Sequence, residues 1–280
     1  MLEKSSLKNE PVTVIEAKTG WQTLNLKELI EYRDLFFFLV WRNIKVLYAQ
    51  TILGLSWALL EPLIQILLFT VIFGKVAKIE TNGIPYFLFS TVAVVPWSYI
   101  SQAMKQSTDS LVSSQGLLTK IYFPRFIFPL APAFSKLIEF SISMSIIACV
   151  MFYYRVMPSL HILLFPVLVL YMMGIVIGFG LWTSAMAIRF RDVRRAMPFF
   201  VRMLMYSAPI VYPYSAIPES YRVYYSLNPL VGVIEGYRSC LLGTAIPWNS
   251  IAIGIAISFI MIISGALYFK RMERFFVDVV

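Results

Sequence analysis

The chain predicts an all-α integral membrane protein with six transmembrane helices, on three observations. Hydrophobic residues make up 59% of the 280 and charged residues only 14%, far from the balance of a soluble domain. Several apolar runs are long enough, at ~1.5 Å per residue, to cross a ~30 Å hydrocarbon core. Of the 24 Lys and Arg, 19 fall on one side of the alternating runs, and only Lys75, Lys78, Arg155, Arg222 and Arg238 fall on the other. By the positive-inside rule both termini are then cytoplasmic. The same rule accounts for the net charge of +9, so no nucleic-acid partner is expected.

Residues 1–22 read as a polar arm, too poor in apolar residues for a cleaved signal peptide. Residues 23–53 read as an amphipathic helix and a connector. Leu26, Leu29, Ile30, Arg33, Phe36 and Phe37 recur at near-helical spacing opposite Lys27, Glu28, Glu31 and Asp34, with Asn25 as the N-cap. Such a helix lies in the membrane interface or packs on a partner docked there. Residues 54–280 form the transmembrane domain. Its first span, about Gly54 to Val76, holds Glu61 before Pro62; a carboxylate inside a span faces protein or water, and Arg191 and Arg42 are the expected partners. The second runs from Pro85 to about Met104, and a polar linker from Lys105 to Lys136 follows. The third is expected from Pro132 to Tyr154 and the fourth from Leu160 to Ile188, where Gly174 and Gly178 allow close helix approach. After the cationic Arg189–Arg195 come a fifth span, Ala196 to Tyr212, and a sixth, Trp248 to Phe269.

Between the last two spans the apolar run breaks at Pro209, Pro213, Pro218 and Pro229, among seven tyrosines from Tyr206 to Tyr237. Prolines remove backbone donors, so this stretch cannot be one straight helix. Irregular backbone at membrane depth must be covered by protein or line a water-filled cavity. The stretch reads as the outer mouth of a pathway, against the simpler reading of an aromatic belt at the headgroups. Phe69, Trp97, Tyr99, Phe199, Met203, Tyr206, Tyr212 and Tyr214 are the candidate wall. Two short helices, joined near Ile217–Ser220 and dipping back into the membrane, are expected to close the exit, with Pro218, Tyr221, Tyr224, Tyr225, Asn228, Pro229 and Arg238 as gate residues.

Catalytic chemistry is not legible here. His161 stands at a span boundary, Glu61, Glu139 and Glu235 lie on different segments, and Lys136 and Glu139, three apart, suit mutual neutralisation. The only Gly-Lys pair, Gly74-Lys75, lacks the rest of a phosphate loop, so any nucleotide belongs to another chain. No metal or catalytic residue is expected.

Tyr48–Trp57, Tyr122-Phe123-Pro124-Arg125 with Phe128-Pro129-Leu130, Arg189-Phe190-Arg191-Asp192, Asn228-Pro229-Leu230 and Glu235-Gly236-Tyr237-Arg238 occur in this order along the chain. Together they resemble the membrane subunits of ABC-2-type exporters of bacterial cell-surface polysaccharide. The resemblance implies a homodimer in the bacterial inner membrane, two copies of a separate subunit that binds ATP and Mg, and a lipid-linked O-antigen or teichoic-acid-like substrate. It also implies an N-terminal interface helix, a coupling helix in the first cytoplasmic loop and re-entrant gate helices. Leu29, Arg33, Ser113, Gln115, Tyr122 and Arg125 are the expected contacts with the ATPase. Glu61 departs from the pattern, standing where Gln is as frequent. A permease for a small drug or lipid, and a membrane enzyme of lipid-linked sugar assembly, are the alternative functions.

Overall fold

The apolar runs of the sequence fold as helices that satisfy their own backbone, as lipid requires. A computed structural model describes residues 30–49, 53–118 and 124–273. In chain order the helices are α1 (Arg33–Tyr48), α2 (Trp57–Phe69), α3 (Tyr86–Ser113), α4 (Ile127–Tyr153), α5 (Phe165–Arg189), α6 (Arg191–Ser207), α7 (Glu219–Tyr225), α8 (Pro229–Leu242) and α9 (Trp248–Glu273), with a single turn at Gln115–Leu118 after α3. Among the described residues, five stretches are long and apolar enough to cross a membrane: Trp57–Val76, Tyr86–Ser113, Ile127–Tyr153, Leu160–Arg189 and Trp248–Glu273. The residues expected as a fifth of six spans form α6, a helix of 17 residues that starts at Arg191 and stops at Ser207, short of Pro209.

α3 is the centre of the bundle. It packs on α4, α5, α8, α2 and α6, while α9 lies along α5 and α8, and α1 lies on α4. The sequence places a polar linker from Lys105, but α3 continues to Ser113. Its last turns are polar yet buried, because each hydroxyl has a partner: Ser107 Oγ donates to Pro129 O at 2.8 Å and Thr108 Oγ1 meets Thr183 Oγ1 at 2.7 Å. Gly178 resolves the small-residue spacing of α5. A Cβ there would stand 2.9 Å from the Ile262 nitrogen, so the glycine lets α9 of the same chain approach. Pro62 interrupts the ladder of α2 and deprives Ala58 O of its donor; Ser143 Oγ of α4 supplies one at 2.8 Å.

α2 ends in a π-helical segment, Thr70–Val76, closed by Ala77 N donating to Ile72 O at 2.8 Å. π-Helical turns are rare and concentrate at functional positions. On α1, Leu39 is buried and Phe36 meets the Phe134 ring edge-on at 5.2 Å, while Phe37, Phe38 and Trp41 are exposed. Leu26 and Leu29, expected on the amphipathic face, lie outside the described residues, as does the expected cap Asn25.

Candidate functional site: the aromatic face, the outer mouth and the intramembrane charges

The outer mouth is built from backbone that cannot satisfy itself. α6 stops at Ser207, and the chain runs irregularly through Pro209 to Pro213 before a short 3-10 turn at Tyr214–Ala216. Side chains from elsewhere take up its carbonyls. Asn228 Nδ2 donates to Ser207 O at 3.1 Å, Arg238 Nη2 to Ile210 O at 3.2 Å, and Tyr86 OH to Val211 O at 2.8 Å. The irregular stretch is thus covered by protein, as membrane depth demands. Ile210 lies past the end of α6 and is buried, off the face that carries Phe199, Met203 and Tyr206.

Pro218 precedes α7 and Asn228 caps α8, accepting from Leu230 N at 3.1 Å with Pro229 in the first turn. Two short helices therefore stand where the prolines predict them. Their junction is at Ser226–Asn228, not at Ile217–Ser220: proline is tolerated at a helix start, so Pro218 opens α7 and does not end a preceding helix. Tyr221 and Tyr224 are exposed on α7. Tyr225 is half-buried; its hydroxyl meets that of Tyr212 at 3.0 Å, and its ring lies 6.1 Å from that of Tyr214. Burial pushes the Tyr225 phenol pKa up, and the Tyr212 hydrogen bond adds to this. Tyr212 also donates to Tyr206 O at 3.1 Å, and Arg222 lies 5.6 Å from the Tyr214 ring.

Arg238, counted among the five cations on the outer side, is not in a loop but inside the chain. It is 2% exposed, pairs with Glu235 at 2.5 Å and stands 3.6 Å over the Phe89 ring of α3. Burial lowers the guanidinium pKa and Glu235 opposes that shift. It belongs to the foundation of the mouth and has no exposed gating surface; the Glu235-x-x-Arg238 spacing was the available signal.

The candidate wall divides in two. Phe199, Met203 and Tyr206 project from one exposed face of α6. Phe69, Trp97 and Tyr99 are buried in the core, where Tyr99 OH donates to Ala133 O at 2.7 Å and its ring meets Phe140 at 5.8 Å.

Glu61 pairs with neither expected cation. It accepts from Gln102 Nε2 at 3.1 Å, while Gln102 Oε1 accepts from Lys136 Nζ at 2.9 Å and Lys136 pairs with Glu139 at 2.6 Å. A polar chain thus crosses α2, α3 and α4, with Lys136 buried and Glu61 at its exposed end. Arg42 donates to Ser114 Oγ at 3.3 Å instead, and Arg191 lines another site. Gln102 was the missed member. Polar residues at helical spacing in a span, Ser98, Gln102 and Gln106, could have revealed it.

At the inner end a cavity of about 660 Å³ is lined by Asp109, Val112, Gln115, Ala187, Ile188, Arg191, Arg194 and Arg195. Arg194 Nε bonds Asp109 Oδ1 at 2.6 Å, which ties the start of α6 to the end of α3. Of the expected ATPase contacts, Gln115 lines this cavity, Ser113 is exposed beside it, Arg125 donates to Glu273 O at 3.2 Å, and Arg33 is exposed on α1 with Asp34 at 3.7 Å. Leu29 and Tyr122 lie outside the described residues.

The sequence profile of the ABC-2 type transporter family matches residues 34–242. The chain belongs to that family. It is a multi-pass membrane protein and a transport subunit. Among curated proteins it is 26% identical over 254 residues to the O-antigen export system permease protein RfbA of Myxococcus xanthus, covering 89% of this chain and 97% of that one. An O-antigen export system permease protein RfbA of Klebsiella pneumoniae is 25% identical over 247 residues, covering 88% and 95%. The polysialic acid transport protein KpsM of Escherichia coli is 25% identical over 210 residues, covering 72% and 78%. The family and these polysaccharide-exporting relatives bear out the resemblance read from the motifs.

Proposed function

We propose that this ABC-2 permease exports a lipid-linked, O-antigen-like polysaccharide from the cytoplasmic side of the bacterial inner membrane, as a homodimer with two copies of a separate ATP-binding subunit. The observation that carries the proposal is the exposed aromatic face of α6, Phe199 to Tyr206, leading to the tyrosine cluster at Tyr212, Tyr214 and Tyr225. Rings presented in series offer weak, repeated contacts to pyranose faces, which favours passage over capture.

In this reading α6 and the irregular residues after it complete a sixth crossing. The 17 helical residues span about 26 Å, and the irregular residues after Ser207 supply the remainder of a ~30 Å core. Both termini then lie in the cytoplasm. α7 and α8 close the exit, with Pro218, Asn228 and Pro229 setting their limits and Tyr221 and Tyr224 facing the opening. Arg33, Ser113, Gln115 and Arg125, with Leu29 and Tyr122, contact the ATPase, which binds ATP and Mg. Closure of two ATPase subunits pulls on the inner end of α3 and, through Asp109–Arg194, on the start of α6.

Purifying the chain with its ATPase from the native membrane and identifying the bound lipid by mass spectrometry tests this reading. A glycan on a lipid carrier, exported into proteoliposomes only with ATP, is the expected result. A small lipid or drug as the sole cargo would overturn it in favour of a same-class permease.

A further inference from the structure

α2 and α6 each present an open stripe. On α2, Trp57, Glu61, Ile64, Leu68 and Val71 are exposed at helical spacing, and on α6 Phe199, Arg202, Met203 and Tyr206 are. Each stripe carries one charge among apolar residues. Among the described residues Glu61 meets only the neutral amide of Gln102, the nearest cation in that chain being already paired with Glu139. Arg202 has no carboxylate partner among the described residues. A carboxylate and a guanidinium at membrane depth are costly unless each faces a counter-charge or water.

The two charges lie at nearly the same depth, by two independent rulers. Gln65 Nε2 donates to Met205 Sδ at 3.3 Å, which sets these residues level on α2 and α6. Glu61 is four residues before Gln65 and Arg202 three before Met205, a difference of ~1.5 Å on parallel helices. The second ruler is α3, which runs antiparallel to both. Asp109 meets Arg194 near one end and Tyr86 meets Val211 near the other. Gln102, bonded to Glu61, falls between them at the level of about residue 199, within one helical turn of Arg202. Arg195 lies four residues from that level on the inner side, a little over one turn, and about two turns from Arg202.

We infer that these stripes face a second copy of this chain, with Glu61 of each subunit pairing with Arg202 of the other and the aromatic residues of α6 left on the path between the two copies. The inference rests on the proposed homodimer. A two-fold axis along the membrane normal preserves depth, so charges level within one subunit meet level across the interface, and the surface is self-complementary. Two pairs form, and neither charge is left against lipid. Each pair joins the polar chain of Gln102 and Lys136 to the aromatic face of α6.

The test is association of single charge reversals. Two differently tagged wild-type copies, coexpressed with the ATPase, are expected to co-purify; if they do not, the homodimer reading itself fails. In the E61R homodimer both contacts set one guanidinium against another, and in the R202E homodimer both set one carboxylate against another. Coexpressing E61R with R202E instead gives a heterodimer in which one contact joins two wild-type charges and the other two reversed ones, so both are complementary. The heterodimer is expected over either homodimer by about tenfold or more, since like charges across an interface are costly. The double reversal E61R/R202E, expressed alone, is expected to dimerise as wild type does and controls for folding of the reversed chain. Wild-type copies that co-purify while the single reversals show no preference for each other would overturn the inference. That result would place the charges in water or pair them within one subunit.

Discussion

Neighbouring spans α2 and α3 are buried in the reverse order of their apolarity: the most apolar window of the less apolar α3 is 89% buried within the chain, and that of the more apolar Trp57–Val76 only 22%. The difference divides the molecule into a scaffold and a working face. α3, with α4, α5 and α8, holds its serines, threonines and Arg238 in satisfied contacts. α2 and α6 turn charged and aromatic side chains outward. In the proposed reading, groups that fix the fold and groups that meet the polymer need opposite environments and occupy different helices.

Breaking the scaffold is expected to have the largest effect. Arg238→Met leaves the largely buried Glu235 without its partner and Ile210 O without its donor, and is expected to cost about 3–5 kcal/mol, read as a fall in apparent Tm of the purified protein. An unchanged Tm would remove Arg238 from the scaffold. A smaller loss is expected from Tyr99→Phe, which keeps the ring against Phe140 and removes only the hydrogen bond to Ala133 O. About 1 kcal/mol is the expected cost, with export retained in proportion to folded protein. If export fails while stability holds, Tyr99 acts on the cargo after all. The smallest stability change belongs to the working face: Phe199→Ala with Tyr206→Ala is expected to stay within about 0.5 kcal/mol per site, because both side chains are exposed in the chain. Export per folded complex should nevertheless fall several-fold. Equal export by mutant and wild type would take the aromatic face out of the pathway.

How far the sequence reached depends on what kind of signal each feature leaves. The starts of α2, α5 and α9 and the breaks around Pro209 and Asn228 were legible because apolar run length and proline act locally. The inner half of α3 was not. Lys105 to Ser113 looks like a loop by polarity, and only contacts with Pro129 and Thr183 on distant segments make its hydroxyls fit a buried helix. Lys136–Glu139 was visible as an i, i+3 pair, and the structure seats it at 2.6 Å. Its extension through Gln102 to Glu61 required knowing which helices adjoin, so Arg42 and Arg191 were equally good guesses. Trp97 and Tyr99 show the same limit, since an aromatic in a span reads alike whether it meets cargo or packs in the core.

The π-helical segment Thr70–Val76 can be read as a matter of residue count. Its wider turns accommodate a surplus relative to a regular α-helix of the same rise. Deleting one residue there would let the ladder close in α register with the segments on either side at nearly their present angle, whereas holding all the residues in α geometry would swing everything beyond by about 100° relative to α2. That rotation would carry Asn82 away from Ser215, which it now meets at 3.2 Å, and Tyr86 away from Val211. The π-helical winding of this segment therefore sets the angle at which the first hairpin reaches the outer mouth, and it does so without a residue of the mouth itself.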